Sequence, residues 1–510
     1  DFPLERVSYS GSHRDAYRIP AGKTQLTFEV VQTDHSLIFD LLSSENSEVR
    51  QSIYQDKQGK PLPTVKDHSS WSSQRIALTG QNDVTLLFDS EAPFYLAECT
   101  LLGKPSGKPD VLIYLIDTLR QDHLGCYYYP VDTSPNIDRF AEDAVRFSSL
   151  IPMSSWTRPS VATLLTGVMD YSHHALSHED HLRQGLPSLA KTLEINEWTT
   201  HGITTNCVVT DEFGFGKDFQ WYEELLPQNK SAATVLDEKA VDHAIAAIAQ
   251  PGDMPLGMYL HLIAPHRDYE PPVEYRELFM PKSFVGVRAQ TRVMQDMALY
   301  DAEIRFSDDQ FGRTIQALKD AGRYENALIV LLSDHGEQFM EHGELAHANT
   351  LHYHELKVPL LIKLPGNSHA GREIRHIVQM ADIAPTILAA LGLTIPGAME
   401  GRSLIPLITL KGTFPPKPAF ARLRIGERHL YMAQTQYLKY IYDVVREQGQ
   451  WYDLQEDPLE YRPLFLPPEG GNALRIFAEE QASRPIPEKG GASPPLTDTQ
   501  TEQLEALGYL

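Results

Sequence analysis

The chain has 510 residues, and its 45 Lys and Arg against 68 Asp and Glu leave a formal charge of −23 at pH 7. Hydrophobic residues make up 42% and charged residues 22%, an ordinary globular composition that excludes a disordered or collagen-like chain. A surface this acidic repels phosphate backbones and anionic lipid, which argues against a nucleic-acid binder. It leaves room for a small anionic ester, because one bound cation inverts the local field.

Residues 1–108 read as β. Short β-branched or aromatic runs such as Gln25 to Val31, Ser36 to Leu42 and Val84 to Phe88 are separated by Gly, Asn, Asp and Pro, so an N-terminal β-sandwich accessory domain is expected. Gly103 to Pro109 reads as a linker. The pattern then changes. Val111 to Ile116, Gly257 to Ile263, Ala327 to Leu332 and Pro359 to Lys363 are continuous apolar runs, as for strands buried on both faces. Helical periodicity lies between them, for example from Arg292 to Leu318. The alternation predicts an α/β domain over 109–400, a mostly parallel sheet flanked by helices. Short strands return in 401–466 as a smaller α+β subdomain, and 467–510 reads as a tail: a Pro-, Gly- and Glu-rich loop to 496, then a short capped helix from Thr497.

Three cysteines, Cys99, Cys126 and Cys207, cannot make a disulfide scaffold. No apolar run approaches the ~20 residues that span a bilayer, so no transmembrane segment is expected. The chain opens on Asp1, not Met, which leaves open a leader or anchor ahead of it.

In a sheet of this kind the chemistry gathers beyond the carboxyl ends of the strands. Asp117 directly follows the first buried run, as a ligand or as a helix cap. Asp334-His335-Gly336-Glu337 follows another, and carboxylate plus imidazole suits a divalent cation, the alternative being a capping Asp with a surface His. Thr157 stands before Arg158-Pro159 at a helix start, where free N–H groups favour an anion. A Thr hydroxyl attacks poorly unless a base or metal lowers its pKa, and a plain N-cap is the competing reading.

Together these segments resemble the sulfatase-like branch of the alkaline phosphatase superfamily over roughly 109–465. Ile116 to Gly125 is similar to its opening metal motif, Ser160 to Gly167 to the end of its signature, and Ser333 to Glu337 with Glu341-His342-Gly343 to its second metal motif. One departure matters. Thr157 occupies the position where sulfatases carry the Cys or Ser that becomes formylglycine; Pro159 and Ser160 keep register, and Val161 stands where Arg is usual. Thr cannot be converted, because its β-carbon already bears a methyl group. The resemblance to Thr-using phosphodiesterases and phosphotransferases implies a Thr157 nucleophile, a phospho-threonine intermediate, and release by water or an acceptor alcohol.

The resemblance further implies one divalent cation (Mn, Zn, Mg or Ca) on Asp117, Asp334, His335 and the Thr157 oxygen; Thr118 replaces the second Asp of sulfatases. A second cation is left open through His266, His342 and His347, although Leu262 stands where an Asp is usual, four residues before His266. His266 and His347 are expected to touch the ester and protonate the leaving group, and Asn206 to donate to an ester oxygen; each has a loop or turn residue as its alternative. His173 and His174 are weaker candidates. The function expected is hydrolysis or transfer of phosphate mono- or diesters or phosphonate esters on a small anionic substrate, in a periplasmic or secreted protein. Its alternatives are a sulfuric ester hydrolase working without formylglycine and a catalytically silent glycan-binding relative.

Overall fold

The structure is a computed structural model that describes residues 107–226, 233–250, 254–280 and 289–485, together with nine strands between residues 4 and 102. The first apolar run forms β1 (Val111–Ile116), and all six side chains are buried. Its two faces feed separate cores: Val111, Ile113 and Leu115 enter one cluster, Leu112, Tyr114 and Ile116 the other. That split is what the two-residue repeat of a strand imposes on a continuous apolar run.

The remaining elements that carry the site are β2 (Val145–Ile151), α1 (Thr157–Thr166), β3 (Thr199–Thr204), β4 (Trp221–Glu224), α2 (Ala233–Ile248), β5 (Leu256–Leu262), α3 (Ala289–Asp320), β6 (Leu328–Leu332) and β7 (Val358–Lys363). In space the strands run β2-β7-β6-β1-β5-β3-β4. Helix α1 contributes Val161, Leu164 and Leu165 to one core, while α2 and α3 contribute Val241, Ala244, Ile304 and Phe311 to the other. Pairing is parallel from β6 through β1, β5 and β3 to β4.

The sheet is mixed, because β7 runs antiparallel to both its neighbours, β6 and β2. The chain leaves β6, builds the loop from Asp334 to His352 beyond that edge and re-enters from the same side, so no crossover reverses it. The parallel strands therefore share one carboxyl edge, and that loop lies on it. Gly336 is required there, since a Cβ would sit 2.1 Å from the His354 carbonyl oxygen.

The N-terminal strands form two groups. Ser12–Ile19 pairs antiparallel with β4 and carries Phe94–Leu102, His35–Ser43 and Ser72–Leu78 into the central sheet; Gly22–Phe28, Val84–Ser90, Val49–Gln55 and Gln58–Pro61 form a separate four-stranded sheet. The C-terminal part is an antiparallel sheet of β8 (Ala419–Ile425), β9 (Arg428–Gln434), β10 (Leu438–Asp443) and β11 (Gln448–Asp453).

Residues 471–482, expected as loop, form helix α4 (Gly471–Ala482). Leu474 and Ala478 lie one turn apart on its inner face and pack with Phe420, Tyr431 and Tyr440. The Pro- and Gly-rich flanks masked this short apolar stripe in the sequence. The helix expected from Thr497 lies outside the described residues. No helix among the described residues is long and apolar enough to cross a membrane.

Candidate active site and metal centre

Asp117 is the first residue beyond β1, and its backbone N–H donates to the Leu262 carbonyl at the end of β5, 3.0 Å away. Asp334 and His335 follow β6, where the Ser333 hydroxyl accepts from the Leu119 N–H (2.9 Å) and donates to the His335 carbonyl (2.8 Å), tying the two loops together. Thr157 is the first residue of α1, with Trp156 as the N-cap, so it does not itself cap the helix. Its hydroxyl lies 3.1 Å from His335 Nε2 and 3.4 Å from Asp117 Oδ2. The structure thus brings Asp117, Thr157, Asp334 and His335 together, each 0% exposed.

A fifth group escaped the sequence reading. His261, inside β5, places Nε2 3.0 Å from Asp117 Oδ2 and Nδ1 2.8 Å from the Tyr259 hydroxyl. It is the single imidazole in an otherwise apolar run, and that interruption was the available signal. Ligand atoms of Asp117, His261 and Asp334 all lie within 4.8 Å of one another, the one such group among the described residues. Two of the carboxylate oxygens, Asp117 Oδ1 and Asp334 Oδ2, are buried without a hydrogen-bond partner. Buried anionic oxygens left unpaired are costly, and a divalent cation between them would satisfy both, so this donor set fits a metal.

Electrostatics separate the two carboxylates. Burial alone would raise Asp117, but the hydrogen bond from His261 and the charge of His335 hold it well below the usual carboxylate range. Asp334 is pushed up by burial and by the Asp117 charge beside it. His335, despite burial, is held above the usual histidine range by Asp334 and Asp117.

Asn206, expected to donate to an ester oxygen, lies against the cluster. Its amide N–H donates to Asp117 Oδ2 (2.6 Å), and its carbonyl oxygen accepts from the Val208 N–H (2.9 Å), so it holds a candidate ligand in place. Thr118, with φ at +54°, turns its hydroxyl to the Pro265 carbonyl (2.9 Å), away from the cluster. His266 and His347 meet with ring centroids 4.7 Å apart, and His347 lies 4.5 Å from His335 by the same measure. The His347 Nδ1 pairs with Glu337 Oε1 at 2.9 Å. Burial, then the neighbouring His347, pulls His266 down to about 4. Burial, then the neighbouring His335, pulls His347 well below its ordinary value.

The other candidates lie elsewhere. His342 stacks on His352 at 3.9 Å, and His173 sits 3.1 Å from the Thr163 hydroxyl on the inner side of α1. His174 follows it at the end of its short helix, in the left-handed region. A cavity of about 1100 Å³ opens beside His347, between the loop that follows β6 and the hairpin turns of the C-terminal sheet.

A family model described as Sulfatase matches residues 109–393, and one described as N-sulphoglucosamine sulphohydrolase, C-terminal, matches residues 341–475. The chain is 21% identical over 439 residues to an arylsulfatase of Clostridium perfringens, covering 70% of this chain and 90% of the relative. It is 22% identical over 506 aligned positions to an N-acetylglucosamine-6-O-sulfatase of Bacteroides thetaiotaomicron, covering 77% and 89%. A phosphonate monoester hydrolase of Agrobacterium radiobacter shares the fold with a TM-score of 0.61 at 19% identity, covering 74% of this chain and 95% of its own.

Proposed function

Because this chain belongs to the sulfatase family, and so to the hydrolases of the alkaline phosphatase superfamily, we propose that it cleaves phosphate mono- or diesters or phosphonate esters with the Thr157 hydroxyl as nucleophile. The observation that carries this reading is the Thr157 oxygen itself. It stands at the start of α1, buried, 3.1 Å from His335 Nε2 and 3.4 Å from Asp117 Oδ2, at a position whose side chain cannot become an aldehyde.

Proteins of this family are metal-dependent. Asp117, His261 and Asp334, with His335 and the Thr157 oxygen beside them, are the residues that would hold a divalent cation. Such a cation, when bound, lowers the pKa of a hydroxyl beside it and offsets charge on a non-bridging ester oxygen. Asn206 keeps Asp117 oriented through its 2.6 Å hydrogen bond. The Tyr259 hydroxyl can donate to His261 Nδ1 or accept from it, so His261 can present either a proton or a lone pair at Nε2.

In the forward step the Thr157 oxygen attacks phosphorus, the bond to the leaving alcohol breaks, and that alcohol takes a proton from His347 or His266. The hydroxyl proton of Thr157 has Asp117 Oδ2 within reach at 3.4 Å. Water, or a second alcohol, then displaces the Thr157 oxygen from phosphorus. The backbone N–H groups opening α1 favour the anionic centre throughout. Burial holds both histidines below their ordinary value, so an arriving anion must raise one of them before it can act as an acid.

A second reading, sulfuric ester hydrolysis without formylglycine, is favoured by the two sulfatase relatives, of which this chain covers 90% and 89%. The test sets p-nitrophenyl phosphate, its phosphodiester, a phosphonate monoester and p-nitrophenyl sulfate side by side on metal-supplemented protein. Phosphorus esters should dominate, and that turnover should vanish in Thr157→Ala. Dominant sulfate turnover surviving that substitution rejects the reading.

A further inference from the structure

A second cavity, of about 170 Å³, lies where β2, the turn between β9 and β10 and the segment leading into β7 meet. It has room for several waters or for one tetrahedral oxyanion. It shares no lining residue with the cavity beside His347 and none with the metal cluster.

Its charge is the reverse of the chain's. Lys357, Arg375 and Lys439 line it against a single carboxylate, Glu460, in a protein of formal charge −23. That carboxylate is already engaged. Glu460 Oε1 and Oε2 accept from Lys439 Nζ at 2.8 and 2.9 Å, and Oε2 also accepts from the Tyr353 N–H at 3.1 Å. Lys439 keeps a third N–H beyond those two. Outside the cavity, Glu373 is 3.2 Å from Arg375 but is shared: it accepts from the Ser148 hydroxyl at 2.9 Å and lies 3.8 Å from Arg146.

Lys357 has no such partner. Its half-buried ammonium stands 4.9 Å from the centre of the Tyr353 ring and makes no hydrogen bond or ion pair among the described residues. Burial pulls Lys357 below its ordinary value, and an anion beside it would reverse that shift. Asp122, the carboxylate whose charge acts on it most, is held by Arg120 at 3.0 and 2.8 Å. Two neutral donors are uncommitted in the same way: the Ser149 hydroxyl and the Gln434 amide line the cavity with no side-chain hydrogen bond among the described residues. Ser148 and Ser149 fall in the register shift of β2 against β7, between Phe147 and Leu150, the kind of irregularity that re-aims side chains.

We propose that this cavity is a binding site for one small tetrahedral oxyanion, inorganic phosphate or sulfate, held by Lys357, Lys439 and Arg375 with Ser149 and Gln434 as neutral donors. A partly desolvated ammonium without an acceptor is costly, and a charge-assisted bond to an oxyanion offsets that cost. No uncommitted carboxylate lines the cavity to repel the ion.

Calorimetry on the full-length, metal-supplemented protein, with inorganic phosphate, sulfate and acetate titrated separately, tests the site. Phosphate or sulfate should give a binding event that Lys357→Gln weakens about tenfold. Arg375→Gln should weaken the same event several-fold; its side chain is 77% exposed, so folding is not at issue. Acetate, planar and singly charged, should bind several-fold more weakly, and the tighter of phosphate and sulfate names the resident ion. An oxyanion event at the metal cluster, and ester turnover, should be untouched by both substitutions, which separates this site from the one proposed around Thr157. Selenate soaked into crystals should give an anomalous peak between Lys357 and Ser149. An event indifferent to both substitutions, acetate binding as tightly as the oxyanions, a selenate peak at the metal cluster alone, or binding at crystal concentration only each overturns the inference.

Discussion

The floor and the wall of this site are built in opposite ways. On the floor, Asp117, Thr157, His261, Asp334 and His335 are 0% exposed and issue from strand ends or a helix start, where backbone pairing fixes each position. On the wall, Arg428 and Glu344 are 48% and 46% exposed and come from hairpin and loop residues. Buried groups on rigid elements hold geometry and suffer perturbed proton affinities; half-exposed pairs on turns are screened and change little when one partner is lost.

If that division holds, substitutions should fall into two size classes. Asp334→Ala should abolish bound metal, read by mass spectrometry of the native protein, and lower kcat by a factor of about 10³. His261→Gln removes one member of the three-residue ligand group; metal affinity should fall ~10–100-fold, measured by chelator competition, while folding is retained. A pH series tests the histidine face. Burial holds His266 at about 4, and an anionic ester raises it, so binding takes up a proton. Affinity should therefore strengthen as pH falls from neutral, by at most about tenfold per unit, and level off near that value. Calorimetry in buffers of different ionisation enthalpy reads the proton directly; a pH-independent affinity removes both histidines from the ester. Least of all, Arg446→Gln on the wall should leave kcat and melting temperature unchanged and alter KM by only a few-fold.

The floor was legible where a polar residue follows an apolar run. Asp117 and Asp334 stand out because β1 and β6 are buried on both faces, so the first charged groups beyond them fall on the carboxyl edge. His261 was hidden by its position within β5, where one polar residue reads as a tolerated interruption rather than as part of the edge. Asn206 was found, but its partner was not: which side chain an amide meets depends on how β1 and β3 are spaced across β5. The reversed direction of β7 was invisible, because its apolar composition is the same for either orientation. The wall could not be assembled at all, since its charges come from segments as far apart as Asp268 and Arg446 and meet only in the folded chain.

The central claim concerns the oxygen of Thr157, and trapping tests it most directly. Acid-quenching the metal-supplemented protein during turnover of a phosphonate monoester or phosphodiester, then sequencing the peptide by mass spectrometry, should locate the transferred phosphorus group on Thr157, with none in Thr157→Ala. Full turnover by the Thr157→Ala protein, or a modified residue elsewhere in the cluster, contradicts the account.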